Sequence, residues 1–330
     1  MRESYDILRT VGYSDQRSVL ATIIRVEGSA YRKQGVSMLI GEDGERTGAL
    51  SAGCLEEDLA ARANEIFTDR EAFDRGDAKL VIYDMRAEDD LGWGSGAGCN
   101  GVLQVLLEPI HSRLRADLRE VLDHVENGRK VIGIRSLESC ISPAIYCFYA
   151  DDGSFFGAGF EERHRKDESR QQLFKKTWQP RPWLIVIGAG PDARPLVAMA
   201  SQVGFSVWVI DRRPAFCTQE RFPDAERRSV GGVELLNEHT LIPNDYVVIM
   251  THRYDTDRLW LQRLQGENIR YLGLLGSRDR ASRLLSVDAI PLQVRTPVGM
   301  SIGAEGPDEI AVSILADLIR VYRCEQAEEF

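Results

Sequence analysis

Three short segments of the chain carry residue types that can do chemistry. Ser51-Ala52-Gly53-Cys54-Leu55-Glu56 and Gly92-Trp93-Gly94-Ser95-Gly96-Ala97-Gly98-Cys99-Asn100-Gly101 each set a cysteine among glycines. Gly188-Ala189-Gly190-Pro191-Asp192-Ala193 directly follows the apolar run Trp183–Ile187. Glycine lets backbone amides close on an anion and supplies positive φ. A thiol beside such amides can become a reactive thiolate. Phosphate handling in one half and sulfur chemistry in the other therefore coexist in one chain. Cys54 sits just before a helical pattern, where the helix start favours a thiolate and Glu56, Glu57 and Asp58 oppose it. Cys99 lies among Gly92, Gly94, Gly96, Gly98 and Gly101, a density that is costly to order without a need for close backbone approach.

The third segment reads as a nucleotide turn. It follows an apolar strand, opens a helix, and is succeeded by Asp211 at the end of the next strand. Gly188 and Gly190 supply the turn, and Asp211 is the candidate acceptor for a ribose diol, with Arg212 and Arg213 as candidate phosphate partners. Ala193 stands in the third glycine position. Pro191 and Pro195 each remove an amide that would otherwise cradle a pyrophosphate. The plain alternative is a tight strand-to-helix turn with no ligand. Thr251-His252-Arg253 follows a later apolar run and places His252 for a ligand or for orienting its loop. Gly276-Ser277-Arg278 follows another and reads as a phosphate clasp, with Ser277 capping a helix and Arg278 as charged donor.

These residues need a scaffold. In the first half, β-branched runs at 18–26 and 36–40, a turn at Asp43-Gly44, and further runs at 79–83, 102–107, 130–135, 144–149 and 154–156 read as strands. Helical periodicity covers 5–12, 55–67 and 112–127. From 183 onward strand and helix alternate: strands at 183–187, 206–210, 245–250 and 271–275, helices at 192–203, 257–267 and 278–286, and a last helix opening at Pro307. The fold class expected is α/β, a small N-terminal α+β domain over 1–160 followed by a Rossmann-like doubly wound parallel sheet over 183–330. The charged stretch 161–182, closing on Pro180-Arg181-Pro182, is expected to be a polar linker or solvated helix.

Composition narrows the class. The 330-residue chain carries a net charge of -10, which argues against nucleic acid as a partner. No apolar run approaches the roughly 20 residues that span a bilayer, so no membrane is expected. The polar N-terminus does not read as a signal peptide. The six cysteines form no CxxC pair and no zinc spacing, as suits reduced thiols in a cytoplasmic protein. Cys140, Cys147, Cys217 and Cys324 read as small buried hydrophobes.

Taken together, these segments resemble the XdhC/CoxI family of accessory proteins for molybdenum hydroxylases. The resemblance rests on ATIIRVEGS at 21–29, Tyr31-Arg32, GALSAGCLE at 48–56, Tyr83-Asp84, GCNG at 98–101 and Leu106-Leu107-Glu108-Pro109. It continues through 187–193, VIDRRP at 209–214, Thr251-His252, YLGLLGSR at 271–278, PVGMSIGA at 297–304 and PDEIAVS at 307–313. Ala52 stands where glycine is expected.

The resemblance implies a carrier that binds molybdenum cofactor, as molybdopterin or its dinucleotide form. Such a carrier protects the cofactor, assists its sulfuration by a cysteine desulfurase and delivers it to an apo-hydroxylase such as xanthine dehydrogenase. It implies a homodimer with no catalytic residue of its own. Gly188, Gly190, Asp211, His252, Ser277 and Arg278 would hold the cofactor, and Cys54 or Cys99 would meet the molybdenum. The chain has no cysteine spacing for iron–sulfur clusters and is too short to be the hydroxylase. The competing reading is an NAD(P)-dependent oxidoreductase using Asp211 and a proton donor such as His252. A third is a scaffold whose Rossmann half has lost its ligand.

Overall fold

The computed structural model describes residues 2–51, 53, 55–86, 100–137, 145–159, 173–238, 240–287 and 289–326. The chain divides into two compact units, Met1–Pro180 and Arg181–Phe330.

In the first unit, α1 (Arg2–Tyr13) leads into the long strand β1 (Ser18–Ser29), then β2 (Ser37–Gly41) and β3 (Arg46–Thr47) across the Asp43-Gly44 turn. Helices α2 (Glu56–Thr68) and α3 (Arg70–Arg75) precede β4 (Lys79–Asp84) and β5 (Asn100–Pro109). These strands make an antiparallel sheet in the order β3-β2-β1-β5-β4. Residues 18–24 of β1 are buried without alternation because both faces of this sheet are covered. Val19, Ala21 and Ile23 face Leu59, Ala63, Ile66 and Phe73 of α2 and α3. Leu20 faces Ile7, Leu8 and Val11 of α1 and Leu114, Leu118 and Val121 of α4 (Ser112–Glu126). Each such side chain, fully buried, is worth about 1.5–3 kcal/mol.

A second sheet of the first unit has the order β8-β7-β6-β9, from β6 (Val131–Ser136), β7 (Tyr146–Ala150), β8 (Phe155–Ala158) and β9 (Leu173–Trp178). Strand β9 lies inside the stretch expected to be linker; there the structure differs from the sequence reading. Lys175 and Lys176 made the segment look solvated, but Phe174 and Trp178 are buried on one face and Val131 pairs with Trp178. Residues 160–172 lie outside the described residues.

The second unit is a parallel sheet in the order β12-β11-β10-β13-β14-β15. Its strands are β10 (Trp183–Ile187), β11 (Ser206–Asp211), β12 (Arg227–Val230), β13 (Tyr246–Ile249), β14 (Tyr271–Leu274) and β15 (Val294–Arg295). Between them run α5 (Ala193–Val203), α6 (Tyr254–Leu264) and α7 (Arg278–Leu285), and α8 (Gly306–Gln326) closes the chain. One face of the sheet packs Ile185, Ile187, Val247 and Ile249 under Trp260, Leu261 and Leu264 of α6. Burial on both faces explains why these strands read as apolar runs without alternation. Helix α5 ends at Gly204, whose φ of 108° and amide bonds to Ala200 and Ser201 close the last turn. The short edge strands β12 and β15 carry too few apolar residues to stand out in the sequence. Among the described residues no helix is long and apolar enough to cross a membrane.

Candidate functional site

The strand order reverses between β10 and β13, the position at which parallel α/β sheets open a crevice at their carboxyl ends. Register brings Ile187 level with both Ile210 and Ile249, so the turns after these three strands share one edge. The glycine turn therefore lies beside Thr251-His252. Gly188 has φ 113°, and a Cβ there would fall 2.6 Å from the Met250 carbonyl oxygen, so this glycine permits the turn to lie against the end of β13. Gly190 differs: a Cβ there meets nothing within 4 Å, and open space lies over it.

Asp211 is placed at this edge, as expected, but its carboxylate is already used. Oδ2 accepts the Ala189 amide at 2.7 Å and Arg213 Nη2 at 2.8 Å. Oδ1 accepts the Arg213 amide at 2.8 Å and its Nε at 2.9 Å. Burial works to raise the Asp211 carboxyl, but these donors outweigh it and hold the group below the usual carboxylate range. A carboxylate has about four acceptor positions, and all are filled from within the protein. The ribose-acceptor role expected for Asp211 is thus replaced by a structural one, tying β11 to the glycine turn. Arg213 is engaged by the same carboxylate and stacks over Phe216 at 4.0 Å, and both it and Arg212 are exposed.

The turn's amides can be followed one by one. Gly188 donates to the Ile210 carbonyl, Ala189 to Asp211 and Ala193 to the Gly190 carbonyl. Pro191 has none. The amides of Gly190 and Asp192 have no acceptor among the described residues, and a Cβ at Gly190 would meet open space. These two are the anion donors the turn offers.

His252 completes the crevice. Its Nε2 lies 2.9 Å from Asp192 Oδ2, joining the β13 edge to the glycine turn. Its φ is 58°, a left-handed conformation uncommon for residues other than glycine, though histidine adopts it more often than most. The neighbouring Thr251 hydroxyl donates to Asp257, which is 1% exposed and also accepts Arg280 Nη2 at 2.6 Å. The buried Asp257 thereby anchors the His252 loop to α6 and α7. Sequence reading missed both Asp192 and the Thr251–Asp257–Arg280 chain. Arg280, two residues from the expected Arg278, is marked only by its reach to a buried acid.

Ser277 caps α7, accepting the Arg280 amide at 3.2 Å as expected. Arg278 is exposed, has no partner among the described residues, and lines a cleft beside β15 and α8 whose lining includes no residue of the glycine turn. Cys54, Cys99 and Cys140 lie outside the described residues. The segment leading to Cys54 is nevertheless defined by Glu56, which is 8% exposed and turned inward. Glu56 Oε1 accepts the amides of Leu50 at 3.1 Å and Ser51 at 2.7 Å, and its other oxygen accepts the Ser51 hydroxyl. Ser51 Oγ in turn accepts the amides of Gly53 and Leu55. Burial favours the neutral acid, but the Ser51 hydroxyl and these amides outweigh it and hold Glu56 below its usual range. Cys147 and Cys217 are buried as expected, whereas Cys324 is exposed. Among the described residues no three histidines, cysteines or acids are grouped to hold a metal ion.

Residues 14–81 match the XdhC and CoxI family, and residues 184–318 match the XdhC Rossmann domain. A Bacillus subtilis protein named as a probable subunit of xanthine dehydrogenase is 40% identical over 92% of this chain and 93% of its own length. The Escherichia coli molybdenum cofactor insertion chaperone PaoD is 24% identical over 96% of this chain and 86% of its own. A crystal structure described as a xanthine dehydrogenase from Bacillus halodurans superimposes with a TM-score of 0.89 at 40% identity, covering 98% of this chain and 96% of that one.

Proposed function

The chain belongs to the XdhC and CoxI family, and on that footing we propose that it is an accessory carrier of molybdenum cofactor for a molybdenum hydroxylase of the xanthine dehydrogenase type. The observation that carries this reading is the filled Asp211 carboxylate. A Rossmann sheet that reads NAD through the ribose 2′-hydroxyl needs that acceptor free, and here it is closed by Ala189 and Arg213. What remains at the crevice is a donor set suited to holding an anion: the Gly190 and Asp192 amides and His252, with Ser277 as the α7 cap. A relative over nearly the whole length is named as a molybdenum cofactor insertion chaperone, which supports the same cargo here.

In this reading the cargo is molybdopterin or its dinucleotide; the second unit offers the donors for its phosphate, and Cys54 or Cys99 is the candidate thiol for its molybdenum. The Glu56–Ser51 clamp holds the segment on which Cys54 sits. The carrier works in the cytoplasm as a homodimer, passes its cargo to the apo-hydroxylase, and receives help from a cysteine desulfurase in sulfurating it. It performs no turnover of its own.

The test is anaerobic capture of molybdenum cofactor by the purified protein, with NADPH titrated in parallel. Near-stoichiometric capture without nicotinamide binding is the expected result, and Cys54→Ala or Cys99→Ala should lower retention. Tight NADPH binding without capture would replace the carrier by an NAD(P)-dependent oxidoreductase. Capture unchanged in both cysteine variants would remove the thiols from the mechanism.

A further inference from the structure

The second unit contains a cleft of about 820 Å³ away from the glycine turn, between α7, β15 and α8. Its size suits a small-molecule group. Among the described residues, Arg278, Arg295 and Arg320 line it together with one acid, Asp317. Asp317 is 4% exposed and already bonded: Oδ2 accepts the Tyr271 hydroxyl at 2.8 Å, and Oδ1 accepts Arg320 Nε at 3.1 Å and Nη2 at 2.6 Å. Arg295 stands 3.8 Å from the same carboxylate and 5.2 Å over the Tyr271 ring, so the Asp317–Tyr271 pair braces two arginines at once.

Among the described lining residues one aspartate balances one guanidinium, leaving an excess of two positive charges on a chain whose net charge is -10. Such a concentration against the overall sign draws anions into the cleft. The rim is also preformed. Met300 donates to the Ser313 carbonyl at 3.1 Å, and the Ser313 hydroxyl returns a bond to the Met300 carbonyl at 2.6 Å. Gly299 lies so close to α8 that a Cβ would fall 2.5 Å from Ser313 Oγ. A fixed rim and braced guanidiniums lower the ordering cost of binding.

We infer that this cleft is a phosphate site, built for a phosphate monoester or the diphosphate of a nucleotide, with Arg278 and Arg295 as its principal donors. Guanidinium forks match phosphate oxygens in pairs, and Arg278 carries no competing partner among the described residues. As a further anchor for the cargo's anionic groups, beside the one at the glycine turn, the assignment depends on the carrier reading. As an anion site it is tested without any cofactor.

The experiment is calorimetric titration of the full chain with inorganic pyrophosphate and, separately, inorganic phosphate. One saturable site per chain is expected for at least one of the two. Arg278→Gln and Arg295→Gln should each weaken it about tenfold, the loss of one charge-assisted contact. Arg258→Gln, an equal loss of charge on the exposed face of α6, should leave it within twofold. Pyrophosphate preferred over phosphate identifies a dinucleotide's diphosphate, and equal binding identifies a monoester; either supports the site. Absence of saturable binding, or equal weakening by all three variants, overturns it. Retained cofactor capture without saturable binding of either anion would overturn the cleft and leave the carrier standing. Pyrophosphate binding without capture would do the reverse.

Discussion

His252 Nε2 and Asp192 Oδ2 meet at 2.9 Å across the point where the strand order of the parallel sheet reverses. The contact joins a loop in a left-handed conformation to the one side chain in the glycine turn that can accept a proton. The left-handed backbone of His252 costs about 1–2 kcal/mol for an ordinary residue, and Asp257 behind it supplies the anchor.

His252→Gly and His252→Ala therefore separate backbone strain from the ring. Both lose the contact with Asp192, but only glycine relieves the positive φ. In urea denaturation the glycine variant should be more stable than the alanine variant by about 1 kcal/mol. Cofactor retention should fall in both. Equal stabilities would mean that the loop relaxes out of this conformation once the ring is gone.

Asp211→Asn tests the filled carboxylate. The substitution turns two acceptor positions into donors facing Arg213 or Ala189 and should cost about 3 kcal/mol at neutral pH. Because the folded carboxyl titrates below its unfolded value, its stabilisation is present above pH of about 4 and is lost as the pH falls through the folded value. The stability gap between wild type and variant should thus shrink on acidification. A gap constant from neutral to acid would show that the charge is immaterial.

Lys176 predicts a slope in the opposite range. Its ammonium turns inward to donate to Ser37 Oγ at 2.6 Å, near Glu108 and Arg135 in a small cavity of the first unit. Burial pulls the Lys176 ammonium down to about 8, with Glu108 resisting, and burial pushes the Glu108 carboxyl up. In the unfolded chain a lysine titrates near 10.4, so between those values only the unfolded state holds the proton, and stability rises with pH. Wild type should gain roughly 2 kcal/mol relative to Lys176→Met across that window. A flat difference would place the ammonium in contact with solvent.

Gly188→Ala and Gly190→Ala make a matched pair. The first drives a Cβ into the Met250 carbonyl from a backbone at φ 113° and should cost about 2–3 kcal/mol, read as a lowered melting temperature. The second meets open space and should leave stability within about 0.5 kcal/mol, yet it occupies the volume over the free amides and should reduce cofactor capture. The opposite order would move the ligand to another part of the edge.

Much of the second unit was legible from residue order. Apolar runs buried on both faces and the glycine turn with Asp211 and His252 after their strands located the sheet and its edge. What sequence hides is the direction a side chain takes. Asp211 in a nucleotide turn looks the same whether it faces a ribose or the Ala189 amide. Arg278 and Arg280 are equivalent in composition, and only the buried Asp257 distinguishes them. Glu56 looks like an exposed acid in a helical first turn until Ser51 and Leu50 are seen to donate to it. Strand β9 was concealed because its lysines mask a face formed by Phe174 and Trp178.

That strand bears on how the protein can be dissected and made. Trp178 rests against Phe148 with ring centroids 5.8 Å apart, and β6 has β9 as its neighbour on one side. A fragment cut at residue 160 would leave β6 as a raw edge and Phe148 without its indole neighbour, inviting intermolecular strand pairing. On the ribosome the first unit likewise waits for its last strand until just before the second begins. Its second sheet is complete only once Trp178 has emerged, not at the earlier end of β8.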